Sequence, residues 1–388
     1  MSVTAPQGFV AAGITCGVKE SGDRDLSLVA TASGEAVTAA AVFTANKMTA
    51  APVVTSRAHL DATGGRAAAV VLNSGNANAA TGTPGRIHAE QMCDAVASEL
   101  GCAAEEVLVC STGLIGIPLP IEAILGGTPA LAAVRRADGG EDAAEAIRTT
   151  DTHRKEATAT RGGVTVGGMA KGAAMLAPNM ATMLAVLTTD AEVDEPTLAR
   201  YLLAAVGDSF NRLVVDGCTS TNDTVIVLAN GEAGPPATPD DLLMAIADVC
   251  RSLSMQMAGD AEGATKVVRV EVQGAATADD ADRGARAVAN SQLTKCSWYG
   301  CDPYWGRVAS DLGSAGIEFD PDRITVAYGG VTVASGGVTV PHDEEAVAKH
   351  MAGRELEITA DLGLGGGHAH VITNDLTHAY VDENMGTS

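Results

Sequence analysis

Short runs of aliphatic residues, each followed at once by glycine and small polar residues, restrict this chain to a fold with many short strands. Residues 67–72 form one such run and lead into Asn73-Ser-Gly-Asn-Ala-Asn-Ala79, which predicts a strand followed by a loop. Residues 107–110 predict a second strand, which ends in Ser111-Thr-Gly113. Because only 3% of the residues are aromatic, aliphatic side chains must fill the core between these strands.

Helix signals lie between the strand signals. Thr83-Pro84 predicts an N-cap and first helical residue, and the apolar spacing that follows predicts a helix ending before Gly101. Thr238-Pro239 predicts the start of a second helix, whose apolar stripe consists of Leu242, Leu243, Ile246, Val249, Leu253 and Met257.

The last third of the chain has a different pattern. Residues 324–340 predict short strands, and Gly329-Gly330 and Gly336-Gly337 are typical of hairpin turns in an antiparallel sheet. Together these signals predict an α/β fold, with the layers of an α+β sandwich rather than a regular βαβ winding. Three acidic stretches predict surface loops, at residues 137–142, 232–241 and 275–282.

Composition excludes several classes of function. The 388 residues include 25 Lys and Arg against 48 Asp and Glu, a formal net charge of −23. Such a chain repels phosphate backbones and anionic lipid, so we expect no nucleic-acid or membrane partner. The first residues lack the features of a secretory signal, and we expect a cytoplasmic protein with its eight cysteines as thiols. His368 and His370 would share one strand face without a third ligand at zinc spacing, so we expect no metal site there.

The segment from Gly167 to Asp190 carries the strongest chemical signal. A glycine-rich approach leads through Pro178-Asn179 to Thr182, and an apolar run at residues 183–187 follows as a predicted buried strand. On pattern alone, Thr182 is an ordinary residue of high β-propensity at the start of a strand. It becomes a catalytic candidate only through the wider pattern of motifs.

Several spaced motifs together make the chain similar to the ornithine acetyltransferase (glutamate N-acetyltransferase) family of arginine biosynthesis. The resemblance extends over nearly the whole chain. Its motifs are Asn73-Ser-Gly-Asn-Ala-Asn-Ala79, Ser111-Thr-Gly-Leu-Ile-Gly116, Thr149-Thr-Asp-Thr152, Gly168-Met-Ala-Lys-Gly172, Ala177-Pro-Asn-Met-Ala-Thr-Met183, Ser220-Thr-Asn-Asp-Thr224, Glu262-Gly-Ala-Thr-Lys266, Asp302-Pro-Tyr-Trp-Gly-Arg307 and Asp375-Leu-Thr with Tyr380-Val and Asn384.

The resemblance implies that the chain cleaves itself between Ala181 and Thr182. The products would be an α chain, residues 1–181, and a β chain, residues 182–388. Thr182 would then be an N-terminal nucleophile whose own α-amine, with a pKa of about 8, accepts the hydroxyl proton. Since that amine does not exist before cleavage, the cut is the activating step. Thr112 and Gly113 would stabilise the oxyanion, although Ser-Thr-Gly by itself is typical of a turn.

The resemblance also implies the substrates and the residues that bind them. Acetyl would pass from N2-acetyl-L-ornithine to Thr182 and then to L-glutamate in a ping-pong reaction that needs no metal or prosthetic group. Some members also accept acetyl-CoA, and members commonly assemble as α2β2. The implied substrate contacts, in addition to Thr182, are Lys171, Glu262, Asn384, the terminal Thr387 or Ser388, and either Thr149 or Thr150, between which the sequence does not choose.

Three departures from the family pattern bear on the pocket. Ala261 replaces a glycine, which would disturb the loop of Glu262 if that position needs a positive φ. Tyr304 replaces an asparagine, and the tail after Asn384 is shorter than usual. Alternative functions are a self-cleaving amidohydrolase or aminopeptidase, an acyltransferase of specialised metabolism, and a ligand-binding protein that stays uncleaved.

Overall fold

The computed structural model describes residues 2–175 and 183–386. The strands are β1 (Phe9–Ile14), β2 (Leu26–Thr31), β3 (Val37–Phe43), β4 (Arg66–Ala67), β5 (Ala69–Asn76), β6 (Val107–Leu114), β7 (Lys155–Arg161), β8 (Val164–Lys171), β9 (Leu184–Ala191), β10 (Leu213–Val214), β11 (Thr224–Gly234), β12 (Val267–Ala275), β13 (Thr325–Tyr328), β14 (Val331–Ser335), β15 (Val338–Thr339), β16 (Glu355–Asp361) and β17 (Gly367–Asn374). The α-helices are α1 (Ala51–Thr63), α2 (Gly82–Leu100), α3 (Ile121–Ala133), α4 (Gly140–Ala146), α5 (Glu195–Gly207), α6 (Pro239–Gly259), α7 (Ala278–Asn290), α8 (Gln292–Tyr299), α9 (Trp305–Ser314), α10 (Glu344–Ala352) and α11 (His378–Glu383).

The described residues form two compact units. The first contains residues 2–175, 183–211 and 218–257, and the second contains residues 212–217 and 258–386. Two sheets belong to the first unit, with strand orders β1-β2-β5-β6 and β4-β3-β11-β9-β8-β7. The second unit has one sheet, with the order β10-β17-β12-β16-β13-β14-β15.

The first unit is layered. Its two sheets enclose a core of buried aliphatic residues that includes Leu108 of β6, Leu184 of β9 and Ile226 of β11. The other face of the β1-β2-β5-β6 sheet packs against helices, with Met92 of α2 in that cluster. On the outer face of the six-stranded sheet, a Cβ on Gly168 would lie 2.8 Å from Val249 of α6, so glycine permits the close approach of this helix. The helix, sheet, sheet, helix order confirms the layered α/β class.

Strand β9 forms the centre of the six-stranded sheet. It pairs in parallel with β11 and antiparallel with β8, and all eight of its residues are buried. The predicted buried strand after Thr182 is therefore confirmed, although it begins at Leu184 and extends to Ala191. Its burial on both faces explains why the sequence reads as an apolar run rather than as alternating residues.

The prediction that polar loops follow the strands at residues 67–72 and 107–110 was wrong. Strand β5 continues to Asn76 and β6 to Leu114, and the two pair in parallel with Ser74 opposite Thr112. Backbone hydrogen bonds of a ladder do not depend on side-chain polarity, so small polar residues remain in the sheet. The register shifts at Gly75 and Asn76, where the ladder becomes irregular.

Most helix and turn signals are close to the observed elements. Helix α2 begins at Gly82, with Thr81 rather than Thr83 at the N-cap, and Gly101 ends it in the left-handed conformation. Helix α6 begins at Pro239, as predicted. Helices α4, α6 and α7 begin inside the three stretches that were predicted to be loops, because acidic residues favour the first turn of a helix as well as the surface.

The second unit is a twisted mixed sheet with helices against it. Both Gly329 and Gly330 have positive φ in the β13–β14 hairpin, and the same holds for Gly336 and Gly337 between β14 and β15. The predicted hairpins are therefore confirmed. Helix α7 packs on β12 and β17. None of the described helices is long and apolar enough to cross a membrane.

Candidate active site

Four strand ends meet at one edge of the first unit. The carboxyl end of β8 and the amino ends of β9 and β11 are adjacent, since Leu184 pairs with Lys171 on one side and with Thr224 on the other. The carboxyl end of β6 lies at the same edge, because Asn222 Nδ2, two residues before Thr224, donates a hydrogen bond of 2.8 Å to the Ser111 carbonyl. The predicted oxyanion residues thus lie at the same edge as the start of β9.

Thr112 and Gly113 are both half-buried at this edge. Gly113 has φ +127°, and a Cβ there would lie 2.3 Å from the carbonyl carbon of Gly75. Only glycine fits this position in the β5–β6 ladder without moving a backbone. The sequence therefore places glycine where the strand would otherwise be blocked, rather than in the open loop that we expected.

Lys171 is not a solvated surface lysine. It ends β8, its side chain is only 11% exposed, and its Nζ lies 3.9 Å from Asp151 Oδ2. Asp151 also pairs with Lys155 at 2.6 Å, and both of those side chains are fully buried. The Gly172 N–H donates a further hydrogen bond of 2.7 Å to Asp151 Oδ1. Asp151 therefore anchors the segment that carries Lys171.

Electrostatics keep Asp151 charged. Burial favours the neutral acid, but the positive charges of Lys171 and Lys155 and the hydrogen bonds outweigh it and lower the pKa of Asp151 to about 2. The Thr149 N–H points to this carboxylate, with 3.2 Å between the nitrogen and Asp151 Oδ2. Thr149 is half-buried and Thr150 is exposed, so Thr149 is the more closely tied to the cluster around Lys171.

Sequence reasoning assigned no role to Asp151, Asn222 or Asp223. Each belongs to a quoted motif, and Asn222-Asp223 stands directly before the apolar run of β11. Thr112-Gly113 stands in a similar position, directly after an apolar run. In both cases polar residues mark the place where a core strand begins or ends. Asn222 links β11 to β6 and also donates a hydrogen bond of 2.6 Å to the Ala77 carbonyl.

Glu262 and Asn384, predicted as two separate substrate contacts, lie together in the second unit. Asn384 Nδ2 donates hydrogen bonds to Glu262 Oε2 at 2.8 Å and to the Tyr380 carbonyl at 2.9 Å. The Glu262 residue is buried. Despite the short tail, the residues after β17 therefore reach this carboxylate.

The concern about Ala261 was wrong. Positive φ in this loop occurs at Gly263, with φ +63°, and not at Ala261. A Cβ on Gly263 would lie 2.3 Å from the Tyr380 nitrogen, so the glycine is needed one position after Glu262. Ala261 is simply buried. Tyr304, the other substitution, lies beside Arg307, whose guanidinium carbon is 5.7 Å from the ring centroid.

Some predicted site residues cannot be placed in this geometry. Ala181, Thr182, Thr387 and Ser388 lie outside the described residues. Of the two histidines considered as metal ligands, His368 lies 2.8 Å from Glu271 through its Nε2. Within residues 2–175 and 183–386, no three His, Cys, Asp or Glu side chains are grouped as a metal site would require.

Comparison with known proteins identifies the family. Residues 10–386 match the ArgJ family. The chain is 49% identical to a protein of Streptomyces coelicolor and 47% identical to one of Thermobifida fusca, each over 100% of both chains, and both are named arginine biosynthesis bifunctional protein ArgJ. The structure of ornithine acetyltransferase from Mycobacterium tuberculosis, complexed with ornithine, is 44% identical with a TM-score of 0.43, and the match covers 46% of this chain and 96% of that chain. The chain belongs to the ArgJ family, as its motifs indicate.

Proposed function

We propose that this chain transfers acetyl from N2-acetyl-L-ornithine to L-glutamate, giving L-ornithine and N-acetyl-L-glutamate. The observation that carries the proposal is the convergence of Thr112, Gly113 and Lys171 on the amino end of β9, in a chain of the ArgJ family. An acyl transfer needs a nucleophile, oxyanion donors and a group that holds the charged substrate. This edge supplies candidates for the last two, and the candidate nucleophile, Thr182, lies outside the described residues.

In this proposal Thr182 becomes the nucleophile by self-cleavage after Ala181. Cleavage separates an α chain, residues 1–181, from a β chain, residues 182–388. Residue 182 is joined to Met183, the residue directly before β9, which is itself buried.

The reaction then has two halves. Thr182 Oγ attacks the acetyl carbonyl while the α-amine of Thr182 accepts the hydroxyl proton, and Thr112 and Gly113 stabilise the oxyanion. The carbon–nitrogen bond breaks, and ornithine leaves with that proton. The glutamate amine next attacks the acetyl ester, loses a proton to the α-amine and releases Thr182.

Charged and polar residues would hold the substrates during both halves. Lys171, kept in place through Asp151, offers a positive charge for a substrate carboxylate. Glu262 offers a negative charge for the substrate α-amino group, and Asn384 orients Glu262 through the 2.8 Å hydrogen bond. Thr149 or Thr150, and the terminal Thr387 or Ser388, complete the proposed contacts.

The relatives are named bifunctional proteins. We therefore extend the proposal to a second acetyl donor. With acetyl-CoA, the same acetyl-Thr182 would form and the same glutamate would accept it. An α2β2 assembly in the cytoplasm belongs to this proposal as well. Light scattering of the purified protein tests the assembly, since two α and two β chains give twice the mass of one precursor.

An acetyl-transfer assay with acetylornithine and acetyl-CoA as separate donors tests the proposal. We expect N-acetylglutamate from acetylornithine, and Thr182→Ala should be uncleaved and inactive. Thr158→Ala is the matched control, because Ala157-Thr158 is the same dipeptide on β7; it should be cleaved and active. Release of acetate from acetylornithine without glutamate, as fast as transfer, would instead identify an amidohydrolase.

A further inference from the structure

The outer edge of β6 is capped by side chains instead of by a strand. Because β6 is the last strand of its sheet, only β5 pairs with it, and the backbone groups on its other edge need different partners. His59 Nδ1 donates a hydrogen bond of 2.8 Å to the Val107 carbonyl. The Ser56 hydroxyl accepts from the Val109 N–H at 2.8 Å and donates to the Val109 carbonyl at 2.7 Å. Both side chains are buried residues of α1, so this helix caps every second residue along the edge.

Asn222 is the third cap on this edge, and it lies beside the predicted oxyanion residues. Its Nδ2 donates a hydrogen bond of 2.8 Å to the Ser111 carbonyl, which continues the alternation that α1 begins. Leu114 belongs to the alternate set that faces β5, since its carbonyl accepts from the Ala77 N–H at 2.9 Å. In a strand, the N–H and C=O groups of every second residue point to the same edge. Gly113 is therefore the next residue on the capped edge.

The unusual conformation of Gly113 does not change the direction of its N–H. Its φ of +127° is a rotation about the N–Cα bond, which redirects the chain only after that nitrogen. The direction of the N–H is set by Thr112, which lies within β6, so the alternation of the strand extends to it. The outer edge therefore presents the backbone donor of Gly113, whereas the N–H of Thr112 faces β5.

The hydrogen bonds of Asn222 hold the backbone on both sides of Gly113. An amide NH2 has two hydrogens, and Nδ2 also lies 2.6 Å from the Ala77 carbonyl oxygen as a donor. The Ala77 N–H in turn donates to the carbonyl of Leu114, the residue that follows Gly113. One side-chain amide thus fixes a carbonyl before Gly113 and, through Ala77, the residue after it. Asn222 is only 6% exposed, so water competes little for these bonds.

We propose that Asn222 is a positioning residue that aims the Gly113 N–H at the oxyanion of acetyl transfer. This inference rests on the proposed function. With the Ser111 carbonyl and Ala77 both held, the peptides that lead to Gly113 have little freedom to rotate. An oxyanion donor is most effective when its direction is fixed before charge develops, because no reorganisation is then needed during the reaction.

Removal of the amide should affect the rate of the chemical step and not substrate binding. Asn222→Ala loses both hydrogen bonds, and we expect kcat for acetyl transfer to fall about 10- to 100-fold, as for a misplaced oxyanion donor. KM for acetylornithine should change by less than about twofold, since the oxyanion forms only in the transition state. A purely structural role would lower the amount of folded enzyme without changing kcat per folded molecule.

Ser56→Ala is the matched control. It also removes two hydrogen bonds from the buried outer edge of β6, but at Val109, further from Gly113. Both variants should lower the free energy of unfolding, and only Asn222→Ala should lower kcat. The experiment measures kcat and KM for acetylornithine with glutamate on each full-length protein, and urea denaturation gives the folded fraction. Asn222→Ala with wild-type kcat per folded molecule would overturn the proposal, as would an equal loss of kcat in Ser56→Ala.

A second variant decides the matter if Asn222→Ala does not fold. Asn222→Asp has nearly the same size, but its carboxylate has no hydrogen to donate to the Ser111 and Ala77 carbonyls, so the same loss of kcat is expected. Wild-type kcat in Asn222→Asp would overturn the proposal. Failure of the proposed function is a separate result, in which wild type and Ser56→Ala both lack acetyl transfer, and this inference fails with it. If both transfer acetyl and the Asn222 variants match them, only the role of Asn222 is contradicted.

Discussion

Asp151 and Asp223 are two buried acids near the same lysine, and their surroundings give them opposite charge states. Asp151 has Lys155 at 2.6 Å and the Gly172 N–H at 2.7 Å in addition to Lys171. At Asp223, burial outweighs the Met183 N–H, the hydroxyls of Ser220 and Thr44 and the charge of Lys171. The pKa of Asp151 is lowered to about 2, whereas that of Asp223 is raised. Close partners, not depth of burial, decide which of the two is charged.

The difference matters because both acids lie near Lys171, at the edge where β8, β9 and β11 meet. A charged Asp151 holds Lys171, which in the proposed function binds a substrate carboxylate. Pairs of titratable groups with pKa values pushed apart are a recurring feature of enzymes that do acid–base chemistry near neutral pH.

The largest expected effect comes from removing the charged acid. Asp151→Ala removes the carboxylate that lies 2.6 Å from Nζ of the fully buried Lys155, and we expect the free energy of unfolding to fall by about 3–5 kcal/mol. Urea denaturation at pH 7 measures this change. A loss smaller than about 1 kcal/mol, the range of an exposed pair, would show that the ion pair is not buried in solution.

Acid titration also tests the charge of Asp151, with a smaller expected change in the free energy of unfolding. The pKa of Asp151 is lower in the folded chain than in the unfolded chain, so its stabilisation is present above about pH 4 and is lost as the pH falls towards about 2. The shift corresponds to about 2 kcal/mol. Unfolding free energies at several pH values, compared with those of Asp151→Asn, should show this loss in wild type only. Parallel curves for the two proteins would contradict it.

The contribution of Asp223 to stability should change with pH in the opposite direction. Its pKa is higher in the folded chain, so its contribution is present below about pH 4 and is lost as the pH rises towards the raised value. Asp223→Asn should therefore become more stable relative to wild type by up to about 1.4 kcal/mol per pH unit over that window. Denaturation midpoints at pH 5 and pH 7 measure the trend, and a variant that loses stability relative to wild type as the pH rises would reverse the assignment.

The smallest effect is expected at an exposed pair. Asp138 lies 2.8 Å from Arg136, with side chains 87% and 48% exposed. Water and salt screen such a pair, so Asp138→Ala should leave the urea midpoint unchanged. A shift comparable with that of Asp151→Ala would mean that ion pairing in this chain is not governed by burial.

Sequence periodicity predicted the strands and helices that have a regular apolar pattern, including β9, α6 and the two hairpins of the second unit. The predicted ends of β5 and β6 came too early. The residues that continue each strand are held by backbone pairing with the other strand, which is distant in the sequence. Residue type alone does not reveal such long-range pairing. Gly113 shows the reason: its φ is +127°, and a Cβ there would lie 2.3 Å from the carbonyl carbon of Gly75 on the neighbouring strand.

The candidate site was predictable mainly through the family resemblance. Thr112, Gly113 and Lys171 were named from motifs, and the fold brings their strand ends together. The importance of Asp151 and Asp223 was not predictable, because their charge states depend on Lys155, Gly172 and burial. Those neighbours are defined only by the tertiary structure.

The central claim, that Thr182 is the nucleophile, is tested most directly by intact-mass analysis after incubation with N2-acetylornithine alone. The account predicts two chains, residues 1–181 and 182–388, with one acetyl group on Thr182 of the second chain that disappears when glutamate is added. A single full-length chain, or a second chain that never gains acetyl while transfer proceeds, would contradict it.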